Sequence, residues 1–369
     1  MVKQILFISI DPVIYRRRVL NQIEAALELG WQPSVITTRP ELNSKTVYKI
    51  HYIKQPFKRG PLRFLYFNYQ TFKIILKQKI DVIHPRGLWV LPAVFIATFF
   101  KKFKLVYDAH EFFAGHELFQ KHIWRRLTWL KLEKLTTKKM DVLLTVSEPL
   151  GEHYQNLYPS LKKVEIIRSL PKMNEHILNQ PREENKNILL SFHGYFLPGR
   201  GLAELLEALA ELQSFPFKLN LIGEGPLKNE LENKVRALKL AENVQFHPFV
   251  ESDKLLQKIH KADLGIALIE ADSINRANAL PNKFFEYIHA AVPVLTSNIP
   301  TLKAYVEKYK LGWTADPYNK NDIIENLKYI FENPSILSTY RAHCIKAAKE
   351  LCWQNESNKL KNIYLGLFK

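Results

Sequence analysis

Short β-branched or apolar runs alternate with helical stretches along the whole chain, and the alternation restarts after a polar interruption at residues 169–187. Such alternation makes successive strands parallel and packs the helices against the sheet, so the fold class it specifies is α/β. In the first half the strand-like runs are Val2–Ile10, Pro33–Thr37, Asp81–His84, Lys104–Asp108 and Val142–Ser147. Between the first two, Leu20, Ile23, Ala26 and Leu27 recur at helical spacing before Gly30. That predicts a helix over Val19–Leu29 with a glycine C-cap, and hence a βαβ unit. The interruption, SLPKMNEHILNQPREENKN, is polar, contains two prolines and has no period, as a linker would.

After it, strands are predicted at Ile188–Phe192, Lys218–Ile222, Val244–Phe246, Leu264–Leu268 and Val292–Thr296. Helices are predicted at Leu202–Leu212, Leu227–Leu238, Ser252–His260, from Pro281, and over Asp322–Glu332 and Ser335–Cys352. A chain of 369 residues with 47% hydrophobic residues exceeds what one compact α/β domain needs. The expected organisation is a first domain over 1–170, a linker over 171–186, a second domain over 187–352 and a tail over 353–369.

Charge is unevenly placed. Residues 1–170 hold 28 Lys and Arg against 13 Asp and Glu, whereas 171–369 hold 25 against 23. A basic first half seeks phosphates on lipid headgroups, lipid-linked diphosphates or nucleic acid. The apolar stretch in Met1–Ile10 is too short for a secretory segment, so no export signal is expected. The longest apolar run, Leu88–Phe100, is interrupted by Pro92 and falls short of the roughly 18 residues that cross a bilayer. Cys344 and Cys352 are eight positions apart in a predicted helix, about 12 Å along its axis and beyond disulfide reach. With two Cys and no clustered His, no structural metal is expected, and the chain suits a reducing cytoplasm.

Two segments carry chemistry. In HGYFLPGRGL, a strand meets a helix through Gly194, Gly199 and Gly201, and Arg200 sits just before the helix start. Free N–H groups and a guanidinium at one point make a diphosphate site, although a tight turn with a solvated Arg would read the same way. In NALPNKFFEYIHAAVPVL, Pro281 opens a helix and Glu286 lies between apolar neighbours one turn further. A carboxylate there needs donors, which ribose hydroxyls supply in dinucleotide-binding folds. A salt-bridged surface Glu is the alternative.

Taken in order and spacing, these segments together with LNLIGEGPLKNEL and ADLGIAL resemble the donor-binding domain of glycosyltransferase family 4. The first half is similar to the same family through DPVIYRRR, DVIHPRG, YDAHEFF and DVLLTVSE. The resemblance implies the GT-B fold, two Rossmann-like domains facing each other across a cleft that holds the active site, with the tail crossing back to the first domain. It implies a retaining glycosyltransferase that uses a nucleotide-sugar donor, with a UDP-sugar favoured, and that works without a metal or another tightly bound cofactor.

Position by position, Glu286 matches the second glutamate of the family's E-x7-E motif, which binds the nucleotide ribose. The first glutamate is replaced by Asn278, which keeps hydrogen bonding and loses the charge. Arg200 matches a basic residue used on the donor diphosphate, and the helix N-termini at Gly201 and Pro281 would share the developing charge. The second cation expected after Gly194 is replaced by Tyr195, for which Arg276 or Lys283 would substitute. Leu280 and Asn282 complete the expected donor contacts. His110 matches a histidine near the reacting sugar, a role that competes with a satisfied loop network of Asp108, His110 and Glu111. The family's usual glycine between helix and strand is here Ala291.

In FQKHIWRRLTWLKLEK, Phe119, Ile123, Leu127 and Leu130 form one helical stripe, with Trp124 and Trp129 beside it near Arg125, Arg126 and Lys131. Aromatics next to cations suit an anionic membrane surface, and KRGPLRFLYFNY over Lys58–Tyr69 is a second such stretch. Burial of the Trp rings is the competing reading. The combined expectation is a cytoplasmic enzyme, peripheral on the inner face of the membrane, whose acceptor is a glycan or lipid-linked precursor. The rivals are an anionic-polymer or nucleic-acid binding protein, supported by charge alone, and an inactive glycosyltransferase-like subunit; no nucleic acid is expected as partner.

Overall fold

The computed structural model describes residues 2–13, 17–38, 46–57, 60–115, 123–181 and 187–369. They form two compact units, Met1–Ser169 with Asn355–Lys369, and Leu170–Gln354.

Unit 1 contains a parallel sheet of β1 (Gln4–Ile8), β2 (Gln32–Thr37), β3 (Lys49–Tyr52), β4 (Val82–Pro85), β5 (Lys104–Asp108), β6 (Val142–Thr145) and β7 (Val164–Ile166) in the order β3-β2-β1-β4-β5-β6-β7. Helices α1 (Arg17–Glu28), α2 (Pro61–Lys77), α3 (Leu91–Ala97), α4 (Ile123–Thr137) and α5 (Glu148–Leu157) link the strands. Ile5, Leu6, Phe7 and Ile8 are all buried, because helices cover both faces of a parallel sheet and such strands read as continuous apolar runs. The predicted βαβ start is present, and Gly30 ends α1 with φ +70°, a left-handed conformation natural to glycine.

Unit 2 begins with α6 (Glu175–Leu178) and contains the parallel sheet β8 (Ile188–His193), β9 (Phe217–Ile222), β10 (Val244–His247), β11 (Leu264–Ala267), β12 (Val294–Ser297) and β13 (Gly312–Ala315), ordered β10-β9-β8-β11-β12-β13. Its helices are α7 (Leu202–Glu211), α8 (Lys228–Ala237), α9 (Ser252–His260), α10 (Ile274–Ala277), α11 (Asn282–His289), α12 (Pro300–Tyr309), α13 (Lys320–Glu332) and α14 (Ile336–Glu350), followed by α15 (Trp353–Gly366). In both sheets the strand order reverses near the middle, between β1 and β4 and between β8 and β11, while every pair stays parallel. In open α/β sheets, such reversal points carry ligands beyond the strands' carboxyl ends.

Several elements differ from expectation. The described part of the expected linker, residues 171–181, is not a bare spacer: Ile177 and Leu178, with Leu170 just before it, are buried in a hydrophobic core of unit 2. β3, β7 and β13 were not predicted, and the helix expected through Cys352 stops at Glu350. The tail from Asn355 packs within unit 1. Tyr364 stacks on Trp31 at 5.4 Å between ring centroids, and its hydroxyl meets His84 Nδ1 at 2.8 Å. Glu356 accepts from the Arg168 backbone at 2.8 Å and from its guanidinium at 2.9 Å.

Candidate functional site in the second unit

The site is built where β8 ends. His193 is the last residue of the strand, and Gly194, at φ +124°, turns the chain into the loop that reaches Arg200 before α7. Glycines bring neighbouring loops onto this turn. A Cβ on Gly223 would stand 2.0 Å from the Gly194 carbonyl oxygen, so the loop after β9 lies backbone to backbone against it. Likewise, Gly265 in β11 leaves room for the Tyr287 ring, which a Cβ would meet at 2.4 Å, and the Tyr287 hydroxyl donates to Ser191 O at 2.6 Å. That packing fixes the rotation of α11 about its axis and aims Glu286 toward β8.

A cavity of about 450 Å³ results, lined by His193, Gly194, Tyr195, Leu197, Arg200, Ile222, Phe249, Val250, Leu255, Leu280, Pro281, Asn282, Lys283 and Glu286. Of the expected donor contacts, Gly194, Arg200, Leu280, Pro281, Asn282 and Glu286 therefore share one cavity. Gly201 and Asn278 do not line it. Gly201 is closed off by Leu268, which a Cβ would meet at 2.7 Å, and the Asn278 amide donates to Ile274 O at 2.8 Å as α10 ends. Gly199 serves the protein as well, since its missing side chain makes room for the Arg276 guanidinium.

Glu286 is not held as a surface carboxylate. His193 Nε2 lies 2.8 Å from Glu286 Oε2 in a nearly closed environment. Burial lowers the His193 pKa while the carboxylate pulls it back up, so a neutral ring donating its Nε2 proton to Glu286 is the favoured form. His193 was absent from the expected site, because its partner is 93 residues away in sequence. Its position at the close of an apolar strand run was the one available signal.

The same cavity also carries two cations. Arg200 is half-buried, and its pKa is lowered by burial and then by the charge of Arg276. Lys283 Nζ is enclosed, 3.5 Å from the centroid of the Phe192 ring, and has no hydrogen-bond partner. Burial and the Arg200 charge push its pKa well down, against a smaller opposing pull from Glu286. A cavity lined by a carboxylate, an imidazole and two cations suits a ligand that carries both hydroxyls and phosphates.

In unit 1, His110 follows β5, and its Nε2 lies 2.8 Å from Arg86 Nη2. A guanidinium only donates, so Nε2 accepts and the ring proton sits on Nδ1. Asp108, also at the end of β5, is fully buried and takes Arg18 Nη2 at 2.7 Å and Gln22 Nε2 at 3.2 Å. Burial alone would raise this carboxyl, but the charge and hydrogen bonds of Arg18 outweigh it and hold the pKa far below the ordinary range. Asp108 thus belongs to a closed structural network, and His110 is held separately by Arg86, which the expected site did not include.

On α4, Trp124 is 80% exposed with Arg125 and Lys131 exposed nearby, Arg126 is half-buried, and Trp129 packs edge-on against Trp89 at 5.1 Å. The two tryptophans therefore divide between the competing readings. Ile123 and Leu127 of the predicted stripe face outward, 54% and 48% exposed, while Glu133, Thr136 and Thr137 are buried. Phe119 with residues 120–122, and Lys58 with Arg59, lie outside the described residues. Among the described residues, no helix is long and apolar enough to cross a membrane, and no group of three or more His, Cys, Asp or Glu could hold a metal ion.

Fold and cavity together define a two-unit Rossmann-like protein with a polar-lined cavity at the carboxyl end of a strand in its second unit. Comparison with known proteins agrees. The family model for glycosyl transferases group 1 matches residues 173–351, and that for Glycosyltransferase Family 4 matches residues 16–169. The two matches together span most of residues 16–351, and the chain has the GT-B fold of this class of glycosyltransferases. A sucrose-phosphate synthase from Thermosynechococcus elongatus superposes with TM-score 0.79 at 18% identity, covering 99% of each chain. WaaG, a glycosyltransferase of lipopolysaccharide biosynthesis, gives TM-score 0.73 at 15% identity over 97% of this chain and 99% of its own. Anabaena Alr3699/HepE, solved in complex with UDP, gives 0.74 at 13% identity over 99% and 100%. At these identities the likeness is one of fold. A curated relative, the chitobiosyldiphosphodolichol beta-mannosyltransferase of Debaryomyces hansenii, is 24% identical over an alignment of 233 residues that covers 59% of this chain and about half, 48%, of that protein.

Proposed function

We propose that the chain transfers a sugar from a nucleotide-sugar donor, a UDP-sugar first among candidates, to a glycan or lipid-linked acceptor in cell-surface polysaccharide or glycolipid biosynthesis. The observation that carries this reading is the second-unit cavity, whose lining brings the Glu286–His193 pair and Arg200 together. Glu286 accepts from the ribose hydroxyls, oriented by His193. Arg200 and the N-terminus of α11, where Pro281 and Asn282 line the cavity, take the charge that grows on the departing diphosphate, the dominant electrostatic contribution in such a transfer. His110 is assigned a hydroxyl of the sugar being moved, with Arg86 setting its tautomer.

Support for the acceptor class and the family of pathways comes from relatives. WaaG is involved in lipopolysaccharide biosynthesis, and the mannosyltransferase is named for a dolichol-linked acceptor. The family resemblance favours retention of anomeric configuration, which proton NMR of the product tests. The outward apolar and basic side chains of α4 support peripheral attachment to the cytoplasmic face of an anionic membrane.

A thermal-shift panel of UDP-, GDP-, ADP- and CMP-sugars tests the core of the reading, since a ligand that binds only the folded protein raises its Tm. Stabilisation by one base series is expected. Indifference to all four at millimolar concentration, with tight, salt-sensitive binding of oligonucleotides, would replace the enzyme reading by the polymer-binding one.

A further inference from the structure

The loop between β8 and α7 has one cation where the family pattern has two, because Tyr195 occupies the second position. Tyr195 is 66% exposed at the cavity rim and brings no charge. Two other basic residues lie near enough to replace it, and the structure separates them. The Arg276 guanidinium is committed to Asp272 Oδ2 at 2.5 Å and to Pro198 O at 3.4 Å, beside Gly199, and Arg276 does not line the cavity. Lys283 does line it, and its ammonium is enclosed over Phe192 with no acceptor.

An ammonium has three donors, and an aromatic face below it satisfies the charge only in part. Enclosed polar groups in folded proteins are nearly always paired, so an unpaired cation on a residue that lines a cavity marks a place where a ligand supplies the partner. The direction of the side chain fits. Helical side chains lean toward the amino end of their helix, which brings Lys283, the second residue of α11, back to the end of β8. There the missing side chain of Gly194 leaves it room, with Lys283 Nζ 3.8 Å from where a Cβ would stand.

We infer that Lys283 is the second cation on the donor diphosphate, supplied by α11 in place of the loop residue that has become Tyr195. This rests on the reading of the cavity as a nucleoside-diphosphate site. Lys283 and Glu286 are three residues apart, hence on one face of α11, so a single helix side spaces the phosphate contact from the ribose contact. Arg200 and Lys283 together then hold the two phosphates, and the free protein carries Lys283 unsatisfied until donor arrives.

The test titrates a nucleoside, its monophosphate and its diphosphate into wild type, Lys283→Met, Lys283→Gln and Arg276→Met by calorimetry, for the uridine, guanosine and adenosine series. Diphosphate affinity is expected to fall on the order of tenfold to a hundredfold in both Lys283 variants, as for loss of one charge-assisted hydrogen bond. Nucleoside affinity is expected to stay as in wild type, which also reports that the variants fold, and Arg276→Met is expected to bind like wild type. A thioether suits the space over Phe192, so unliganded Lys283→Met is expected to melt a few degrees higher than wild type, opposite to the loss of a structural lysine. Diphosphate binding by both Lys283 variants at wild-type strength overturns the assignment while leaving the nucleotide reading intact. Equal losses for nucleoside and diphosphate overturn it too. Absence of binding by wild type in every series removes the nucleotide reading itself.

Discussion

The two units treat buried charge in opposite ways. At the end of β5, Asp108 is closed in by Arg18 and Gln22, and Glu133 on α4 accepts from the Tyr107 hydroxyl at 3.0 Å and from Tyr158 at 2.6 Å. At the corresponding end of β8, Arg200 has no hydrogen-bond or ion-pair partner among the described residues, and Lys283 has only an aromatic ring. Charges that complete one another hold a fold together, whereas charges left incomplete await a ligand. The distinction separates scaffold from site more sharply than residue type does, since both strand ends carry an acid and a base.

Breaking the closed network should have the largest effect. Arg18→Met strands the Asp108 carboxylate without its partner, and unit 1 is expected to lose about 3–5 kcal/mol in urea unfolding followed by a probe in that unit. Next comes the pH dependence of Glu133, whose pKa burial pushes up from 4.5 to about 7 against the two tyrosine hydroxyls. A raised folded value means the fold prefers the protonated form. Its contribution is whole below about 4.5 and is lost as pH rises through about 7. Wild type is therefore expected to lose, relative to Glu133→Gln, up to roughly 3 kcal/mol between those pH values. Parallel pH profiles for the two proteins would show that Glu133 is charged in the fold.

The open site should respond in the other sense. Arg200→Ala is expected to weaken diphosphate binding by about 1.5–3 kcal/mol in calorimetry while leaving the unliganded Tm unchanged or higher, because no native partner is lost. Should Arg200→Ala destabilise the free protein as Arg18→Met does, the contrast between the units collapses. The smallest expected effect is at His110. His110→Ala should leave nucleotide affinity unchanged and lower kcat about tenfold in a radiolabelled transfer assay, the loss of one positioning hydrogen bond. Full turnover in that variant would return His110 to the scaffold of unit 1.

Much of this was legible in order and spacing. The alternating runs carry their own period, so β1, β8 and α1 could be placed from local pattern, and Pro281 marked the start of the segment leading into α11. The strands β3, β7 and β13 were not legible, because KIHY, VEI and GWTA are short and mixed in polarity, and their pairing depends on a neighbour already in place. The short helix Glu175–Leu178 hid in a polar stretch for a related reason. Its two core residues, Ile177 and Leu178, make too brief an apolar signal to outweigh the prolines around them.

By itself, the sequence determined the α/β class, the two-part order and the placement of Glu286 and Arg200 on elements that converge on one sheet end, since these depend on local periodicity and turn chemistry. Tertiary structure alone decided which polar groups are complete. His193 joins Glu286 across 93 positions, Arg18 joins Asp108 across 90, and Lys283 is left over Phe192 without an acceptor. Pairing is a property of distances between residues remote in the chain, and no local pattern encodes those distances.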